Sequence, residues 1–171
     1  MRVFLTDKIK VIANACIKGV IAYNIKRPFE ERVVMSTKRL QKLIFFCEIE
    51  YMKKHNGESL FIDEYRALPS GPVVPTIFTE YMLHANCNGM LRGVGEPNEE
   101  EQNIIDNVLT LTAKLDTIDL VNACCTAESP WRQVYEDSDE MHRQVISKKD
   151  IYRFYMHKDL KKDILNLDVN S

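Results

Sequence analysis

The sequence lacks the features of several large classes of protein. Its formal charge is only −2, from 23 basic and 25 acidic residues among 171, so no overall attraction draws it to nucleic acid or anionic membranes. The apolar stretch at residues 9–21 is too short to span a bilayer, and Lys10, Asn14 and Lys18 interrupt it. No secretory signal is recognisable at the N-terminus. We therefore expect a cytoplasmic protein that contacts no membrane, with nucleic acid a disfavoured partner.

Cofactor-binding and catalytic motifs are also missing. His84 and Cys87 have the spacing of two metal ligands, but no second pair of ligands accompanies them. The glycines at residues 89–95 lack the lysine and the serine or threonine of a phosphate-binding loop. The five cysteines lie mostly in apolar helical patterns, which predicts reduced thiols, and none has the surroundings of an activated nucleophile. We expect no metal, no cofactor and no enzymatic activity.

Helical periodicity dominates what is present. With 45% hydrophobic and 28% charged residues, a chain of 171 residues is typical of one globular domain. Apolar residues recur at helical spacing in about seven segments, so we predict a mainly α, single compact domain with a core over about residues 8–157. Residues 158–171 are predicted to be a polar, frayed tail, although Leu160, Ile164 and Leu165 could extend a helix. The helices are predicted to begin near Thr6, Ser36, Val73, Asn98, Asp116, Ser129 and Ser147.

The second predicted helix is the core helix. Ser36 is its predicted N-cap, with Met35 and Leu40 placed as a hydrophobic staple. Its apolar residues cover so much of its girth that several of its sides must be buried. The basic residues Lys38, Arg39 and Lys42 are expected on the exposed remainder, where they keep it solvated. A small two-stranded β element is also predicted, pairing residues 61–67 with residues 90–92.

A proline-rich corner at residues 66–81 organises the chain. Three prolines and a glycine fall within residues 69–75, so the backbone has few options. Gly71 can take a positive φ without a Cβ clash. We predict that this stretch runs extended, turns sharply, and delivers Pro75 to the first turn of a helix. Gly71, Pro72 and Pro75 are expected to be scaffold first. If they contribute to binding, it is by holding Tyr65, Arg66 and Phe78 in place.

The only tryptophan lies in a second turn motif. Ser129 and Pro130 suit the N-cap and N1 positions of a helix on which Trp131 and Tyr135 are neighbours. Trp131 could be an interface hot spot, because tryptophan is enriched at such positions. Its apolar helical surroundings favour a core anchor.

Four short motifs together resemble one known family. They are residues 38–46 (KRLQKLIFF), 71–75 (GPVVP), 129–131 (SPW) and 146–151 (ISKKDI). In this order and spacing they closely resemble the SocA-like, or Panacea, antitoxin domain, a family also labelled phage-associated protein of the GepA type. The connector at residues 24–35 is specific to this chain, and Phe45 to Glu48 replace a run that often reads Tyr-x-Ala-Gln in the family. These variable surfaces are where partner choice would be encoded.

The resemblance implies a bacterial or prophage antitoxin that binds a cognate protein toxin, encoded nearby, without catalysis. It also implies one alternative, an adaptor that delivers the toxin to a protease–unfoldase, for which the 158–171 tail would be the tether. A DNA-binding autoregulator is a further alternative, which the near-zero charge disfavours. A homo-oligomer is left open. The candidate partner-binding residues are Tyr65, Arg66, Phe78 and Trp131. The family motifs supply the expected scaffold residues Leu40, Lys42, Leu43, Gly71, Pro72, Val73, Pro75, Pro130 and Trp131.

Overall fold

The helices of this protein begin where short polar side chains can cap them. The computed structural model describes residues 7–82, 89, 94–135 and 144–167. Ser36, Ser129 and Ser147 each accept a hydrogen bond from the backbone three residues later, and Asn98 forms a reciprocal capping box with Glu101. These four predicted starts are confirmed. Thr6 lies outside the described residues, and Asp7 precedes the first helix.

The architecture is mainly α with a small antiparallel sheet. The helices are α1 (Lys8–Ile25), α2 (Thr37–Lys54), α3 (Pro75–Met82), α4 (Glu99–Thr112), α5 (Thr117–Cys124), α6 (Pro130–Val134) and α7 (Lys148–Tyr155). The strands are β1 (Tyr65–Leu68), β2 (Gly71–Val73) and β3 (Val145–Ile146). A 3₁₀ turn at Phe29–Glu31 follows α1, and a π-helical turn at Leu160–Ile164 follows α7. The mainly α fold is confirmed.

Helix α2 lies at the centre of the fold, as predicted from the apolar side chains around most of its circumference. It packs against α1, α3, α4, α5 and α7 and also against β2. Leu40, Leu43, Ile44 and Phe46 are fully buried on it, and Phe45 packs edge-to-face against Tyr65 and Tyr155. A helix with buried side chains around most of its circumference fixes the positions of every element that touches it.

The sheet differs from the prediction by one strand. Its order is β2-β1-β3, with Arg66 opposite Val73 on one side and Tyr65 opposite Ile146 on the other. The prediction of two strands is therefore wrong, and the expected partner at residues 90–92 lies outside the described residues. Strand β3 has only two residues, too few to show the alternation by which a strand is recognised in sequence.

The predicted corner is confirmed as a hairpin that leads into a helix. Strands β1 and β2 pair antiparallel across Pro69 and Ser70, and Gly71 has a φ of +110°. Helix α3 begins at Pro75, two residues later than predicted. Its predicted continuation to Ala85 extends beyond the described residues. The corner thus sets the direction in which the chain leaves the sheet.

The segment after α7 is partly ordered into the core. Leu160 and Ile164, in the π-helical turn, are buried, and Asp159 accepts a hydrogen bond from the backbone of Lys162 at 2.8 Å. The expectation that residues 158–171 fray is therefore wrong for residues 158–167, because these two apolar side chains anchor the turn. The alternative that they extend helical structure is confirmed.

Candidate partner-binding surface

The first two family motifs meet in a clasp between α2 and the corner. The Gln41 side chain donates to the Val74 carbonyl oxygen at 3.0 Å, and its own oxygen accepts from the Val74 N–H at 2.9 Å. The next residue, Lys42, donates from its Nζ to the Pro72 carbonyl oxygen at 2.9 Å. Both side chains are buried, so these bonds are shielded from water. The clasp satisfies the backbone of a segment that proline prevents from forming a longer ladder.

Lys42 fills the space beside the glycine of the corner. A Cβ at Gly71 would lie 3.2 Å from Lys42 Cε, 3.3 Å from Lys42 Nζ and 3.2 Å from Cys125 Sγ. Gly71 is thus required twice, for its positive φ and for this close approach. Burial lowers the pKa of Lys42, while the neighbouring Cys124 and Cys125 act in the opposite direction.

Arg39 ties α2 to the end of α4. Its guanidinium donates to the carbonyl oxygens of Thr112 and Leu115, both at 2.8 Å, at the C-terminal end of α4 and in the turn that follows it. Arg39 is 4% exposed and Lys42 0%. The expectation that Arg39 and Lys42 solvate an exposed face is therefore wrong. Backbone carbonyls supplied from elsewhere in the chain compensate both charges, and no local pattern signals them.

Trp131 holds the hairpin from the other side. Its Nε1 donates to the Leu68 carbonyl oxygen at 2.6 Å, and its ring stacks on Tyr135 with centroids 4.6 Å apart. It is 7% exposed, and Pro130 beside it is buried. The structure therefore agrees with the core-anchor alternative, and Trp131 offers little surface to a partner.

Tyr65 is fully buried rather than displayed. Burial raises the pKa of Tyr65, and its hydroxyl finds no hydrogen-bond partner among the described residues. Beside it, Lys148 Nζ lies 2.9 Å from Glu48 Oε1 and 4.4 Å from the Phe61 ring centroid. This ion pair, in which Glu48 is fully buried and Lys148 is partly exposed, joins α2 to α7, the fourth family motif. Tyr65 therefore cannot contact a partner directly, which corrects its candidacy as an exposed anchor.

Arg66 and Phe78 are the candidate binding residues that reach the surface. Arg66 is half-buried on β1, and Phe78 is 43% exposed on α3. The scaffold residues, by contrast, converge on the corner: Lys42, Gly71 and Pro72 are in contact, and Trp131 bonds to the adjoining strand. Four of the predicted scaffold residues, Lys42, Gly71, Pro72 and Trp131, thus meet at the corner, while the four candidate binding residues do not form one exposed patch.

A second region, the connector loop at residues 24–33, was marked in the sequence as specific to this chain but contributed no candidate site residue. Asn24 closes it, because its side-chain nitrogen donates to the Val33 carbonyl oxygen and its oxygen accepts from the Val33 N–H, both at 2.8 Å. Arg32 Nε also donates to the Arg27 carbonyl oxygen at 3.0 Å. At the tip, the 3₁₀ turn presents Phe29, which is 82% exposed. The loop is ordered, yet it displays an aromatic ring to solvent.

A groove, which we call the connector groove, runs beside this loop. It consists of two adjoining depressions, of about 820 and 540 Å³, which share Tyr23, Arg27, Val33, Arg39, Ala113, Lys114 and Leu115. Helix α1, the connector loop and the end of α4 form its walls. The Arg27 guanidinium lies 3.8 Å from the Tyr23 ring centroid. Within the described residues, the Nε atoms of Arg27 and Arg39 donate no hydrogen bond.

Some exposed hydrophobic side chains lie in the same segments. Seven large ones are exposed in the described part of the chain. Of these, Val34 lines the groove, and Phe29 and Ile118 are next in sequence to residues that line it. The only signal in the sequence was the resemblance itself, which marked residues 24–35 as specific to this chain.

Two other kinds of site were sought in the described ranges. No group of three or more His, Cys, Asp or Glu side chains there could hold a metal ion, and His84 and Cys87 lie outside those ranges. None of the described helices is long and apolar enough to cross a bilayer.

Comparison with known proteins places these features in a family. The sequence profile described as antitoxin SocA-like, Panacea domain, matches residues 40–132, more than half of the chain. The match includes Gln41, Lys42, the corner and Trp131, and so covers the clasp. No curated protein and no solved structure gives a significant match. The chain belongs to the SocA-like antitoxin family that carries the Panacea domain.

Proposed function

We propose that this protein is the antitoxin of a bacterial or prophage toxin–antitoxin pair and neutralises a cognate protein toxin by binding it directly. Membership of the antitoxin family over residues 40–132 is the observation that carries the proposal. The protein is proposed to act as a cytoplasmic binding protein, without enzymatic activity or a cofactor.

The use of the motif residues supports a binding role. Three motif side chains donate hydrogen bonds to backbone carbonyl oxygens of the corner: Gln41, Lys42 and Trp131. Cys124 is buried and its pKa is raised to about 12 by burial, so it is held as an unreactive thiol. The polar groups in the core thus have structural partners or suppressed reactivity, and recognition falls to the surface.

On the corner face we propose that Phe78 and Arg66 contact the toxin, with Tyr65 and Trp131 supporting them from beneath. Phe78 offers an apolar ring at the surface of a short helix whose position the clasp fixes. A preorganised aromatic residue is the usual kind of interface anchor, because little entropy is lost when it is buried.

Co-expression with the product of the adjacent gene tests the proposal. We expect that product to arrest growth alone, and growth to resume when this chain is co-expressed. The two proteins should also co-purify at a fixed ratio. Rescue with loss of the toxin that depends on a cellular protease would indicate the adaptor role instead. A neighbouring product that is harmless alone, or that stays toxic beside this chain, would refute the proposal.

A further inference from the structure

Two of the four cysteines in the described part of the chain meet in the core. Cys16 lies on α1 and Cys47 on α2, and both are 0% exposed. The two helices pack against each other, and the Cys47 thiol is hydrogen-bonded to Cys16. Both cysteines are free, so the contact joins two reduced thiols. Two thiols in contact on separate helices are the arrangement from which a disulfide can form.

The other two described cysteines do not offer the same possibility. Cys124 and Cys125 are adjacent in sequence at the end of α5, so the peptide bond between them holds their Cα atoms about 3.8 Å apart. Disulfides ordinarily need a Cα separation of about 4.4 to 6.8 Å. A disulfide between these neighbours would therefore strain the backbone. Cys16 and Cys47 are free of this restriction, because they lie on different helices.

The surroundings of Cys47 explain why the pair is reduced at rest. The hydrogen bond to Cys16 and burial raise the pKa of Cys47 well above its ordinary value, and the nearby carboxylates of Glu50 and Glu48 act in the same direction. The thiolate, which is the reacting species, is therefore scarce. A disulfide at the same place would be equally shielded from the thiols that could reduce it. The pair is thus slow to oxidise and, once oxidised, slow to return.

We propose that Cys16 and Cys47 form a disulfide when the protein is exposed to peroxide, and that this bond links α1 covalently to α2. One sulfur, as the thiolate, attacks hydrogen peroxide: an S–O bond forms, the O–O bond breaks, and the departing hydroxide takes up the proton that the thiol released. The second thiol attacks the resulting sulfenic acid: the S–S bond forms, the S–O bond breaks, and the thiol proton leaves in a second water. Each sulfur loses one electron, and the peroxide gains two.

The disulfide should act on unfolding rather than on the native structure. It closes a loop of about 30 residues, which reduces the conformational freedom of the unfolded chain. That loop includes the connector loop, whose ends Asn24 and Val33 are already joined by hydrogen bonds. The oxidised protein should therefore keep its fold and resist unfolding. This inference concerns the chain alone and is independent of the proposed toxin.

Peptide mapping by mass spectrometry, without reduction, is the primary test. The folded wild-type chain, first reduced and then incubated with hydrogen peroxide, should yield a linked pair of peptides that contain Cys16 and Cys47. Treatment with dithiothreitol in denaturant should separate the two peptides again. The oxidised protein should melt about 5 °C or more above the reduced protein, because the cross-link constrains the unfolded chain.

Two alanine variants provide the matched comparison. Cys47→Ala should abolish both the linked peptides and the rise in melting temperature. Cys125→Ala should retain both, since Cys125 is half-buried and lies outside the pair. If Cys47→Ala does not fold, the wild-type map alone decides. Cys16 and Cys47 that stay unlinked in the folded protein overturn the proposal, as do a link that forms only in denaturant and a linked protein that melts no higher than the reduced one.

Discussion

The corner and the connector loop are closed by the same device, yet they face opposite environments. In each, a side-chain amide bonds both the N–H and the carbonyl of one valine, Gln41 with Val74 and Asn24 with Val33. The corner is buried beneath Lys42 and Trp131. The connector loop instead exposes Phe29 to solvent. A fixed backbone is therefore used once to build the core and once to display a surface.

This difference in exposure gives the two regions different roles. The corner lies within the range matched by the family profile, whereas the connector loop lies before it. Within that range Lys42, Gly71 and Trp131 fix the backbone path, whereas Phe78 reaches the surface. Substitutions at the buried residues of the corner should cost more stability than substitutions in the exposed connector loop.

The largest contrast is expected between two glycines. Gly71→Val should lower the free energy of unfolding by about 4 kcal/mol, because a β-branched residue at positive φ is strained and its Cβ meets Lys42 and Cys125. Gly19→Ala, beside the groove, should change it by no more than about 1 kcal/mol, since only the flexible Leu109 must move and alanine favours the helix. Urea denaturation measures both.

A Gly71→Val protein that unfolds at the wild-type urea concentration would show that the corner is not the scaffold described here. The same conclusion would follow if that variant stayed fully folded and lost only toxin binding.

The Gln41–Val74 and Asn24–Val33 hydrogen-bond pairs should also differ in their contribution to stability, the buried pair contributing more. Gln41→Ala strands the buried N–H of Val74, whose carbonyl oxygen still accepts from the backbone of Ile77 and Phe78, and should cost about 2 kcal/mol of unfolding free energy. Asn24→Ala should cost about 1 kcal/mol, because water can reach the exposed loop. Thermal denaturation of both variants measures the difference. Equal losses of stability would contradict the contrast between a buried and an exposed clasp.

Trp131 and Phe78 test which aromatic residues are structural. Trp131→Phe removes the bond to the Leu68 carbonyl oxygen and should lower the free energy of unfolding by about 2 kcal/mol, with toxin affinity unchanged in the folded protein. Phe78→Ala should do the reverse, weakening toxin binding about tenfold at a stability cost below about 1 kcal/mol. Calorimetric titration of the toxin into each variant provides the measurement. If Trp131→Phe weakened toxin binding and Phe78→Ala lowered stability instead, Trp131 would be the binding residue and Phe78 the structural one.

The smallest expected effect is a pH dependence from Glu48. Burial raises the pKa of Glu48, and the Lys148 ammonium opposes this shift. The folded state therefore holds this proton more tightly than the unfolded chain does. Its contribution to stability is greatest below the ordinary pKa of a glutamate and falls as the pH rises through the raised pKa. Relative to Glu48→Gln, the wild type should gain stability between about pH 7 and pH 4. A difference independent of pH would show that burial does not perturb this carboxyl group.

Local chemistry made the helix starts and the corner predictable. Ser36, Asn98, Ser129 and Ser147 act within three residues of themselves, and proline and glycine act on their own backbone. The burial of Arg39 was not predictable in this way, because its acceptor at Thr112 is 73 residues distant. Local sequence shows that Arg39 is a basic residue on a helix. It does not show that carbonyl oxygens from a distant segment accept its hydrogen bonds.

The candidate site was predictable only in part, for a related reason. Trp131 could be recognised as a core anchor from its apolar helical neighbours. The burial of Tyr65 depends on α2 and α7 packing over it, and the groove exists only because α1, the connector loop and α4 converge. A surface assembled from three segments has no signature in any one of them.

Calorimetric titration of the purified chain with the product of its adjacent gene tests the central claim most directly. The account predicts saturable binding at a fixed ratio, retained by the folded Trp131→Phe variant and weakened by Phe78→Ala. Absence of any binding between the two wild-type proteins, under conditions in which both are folded, would contradict it.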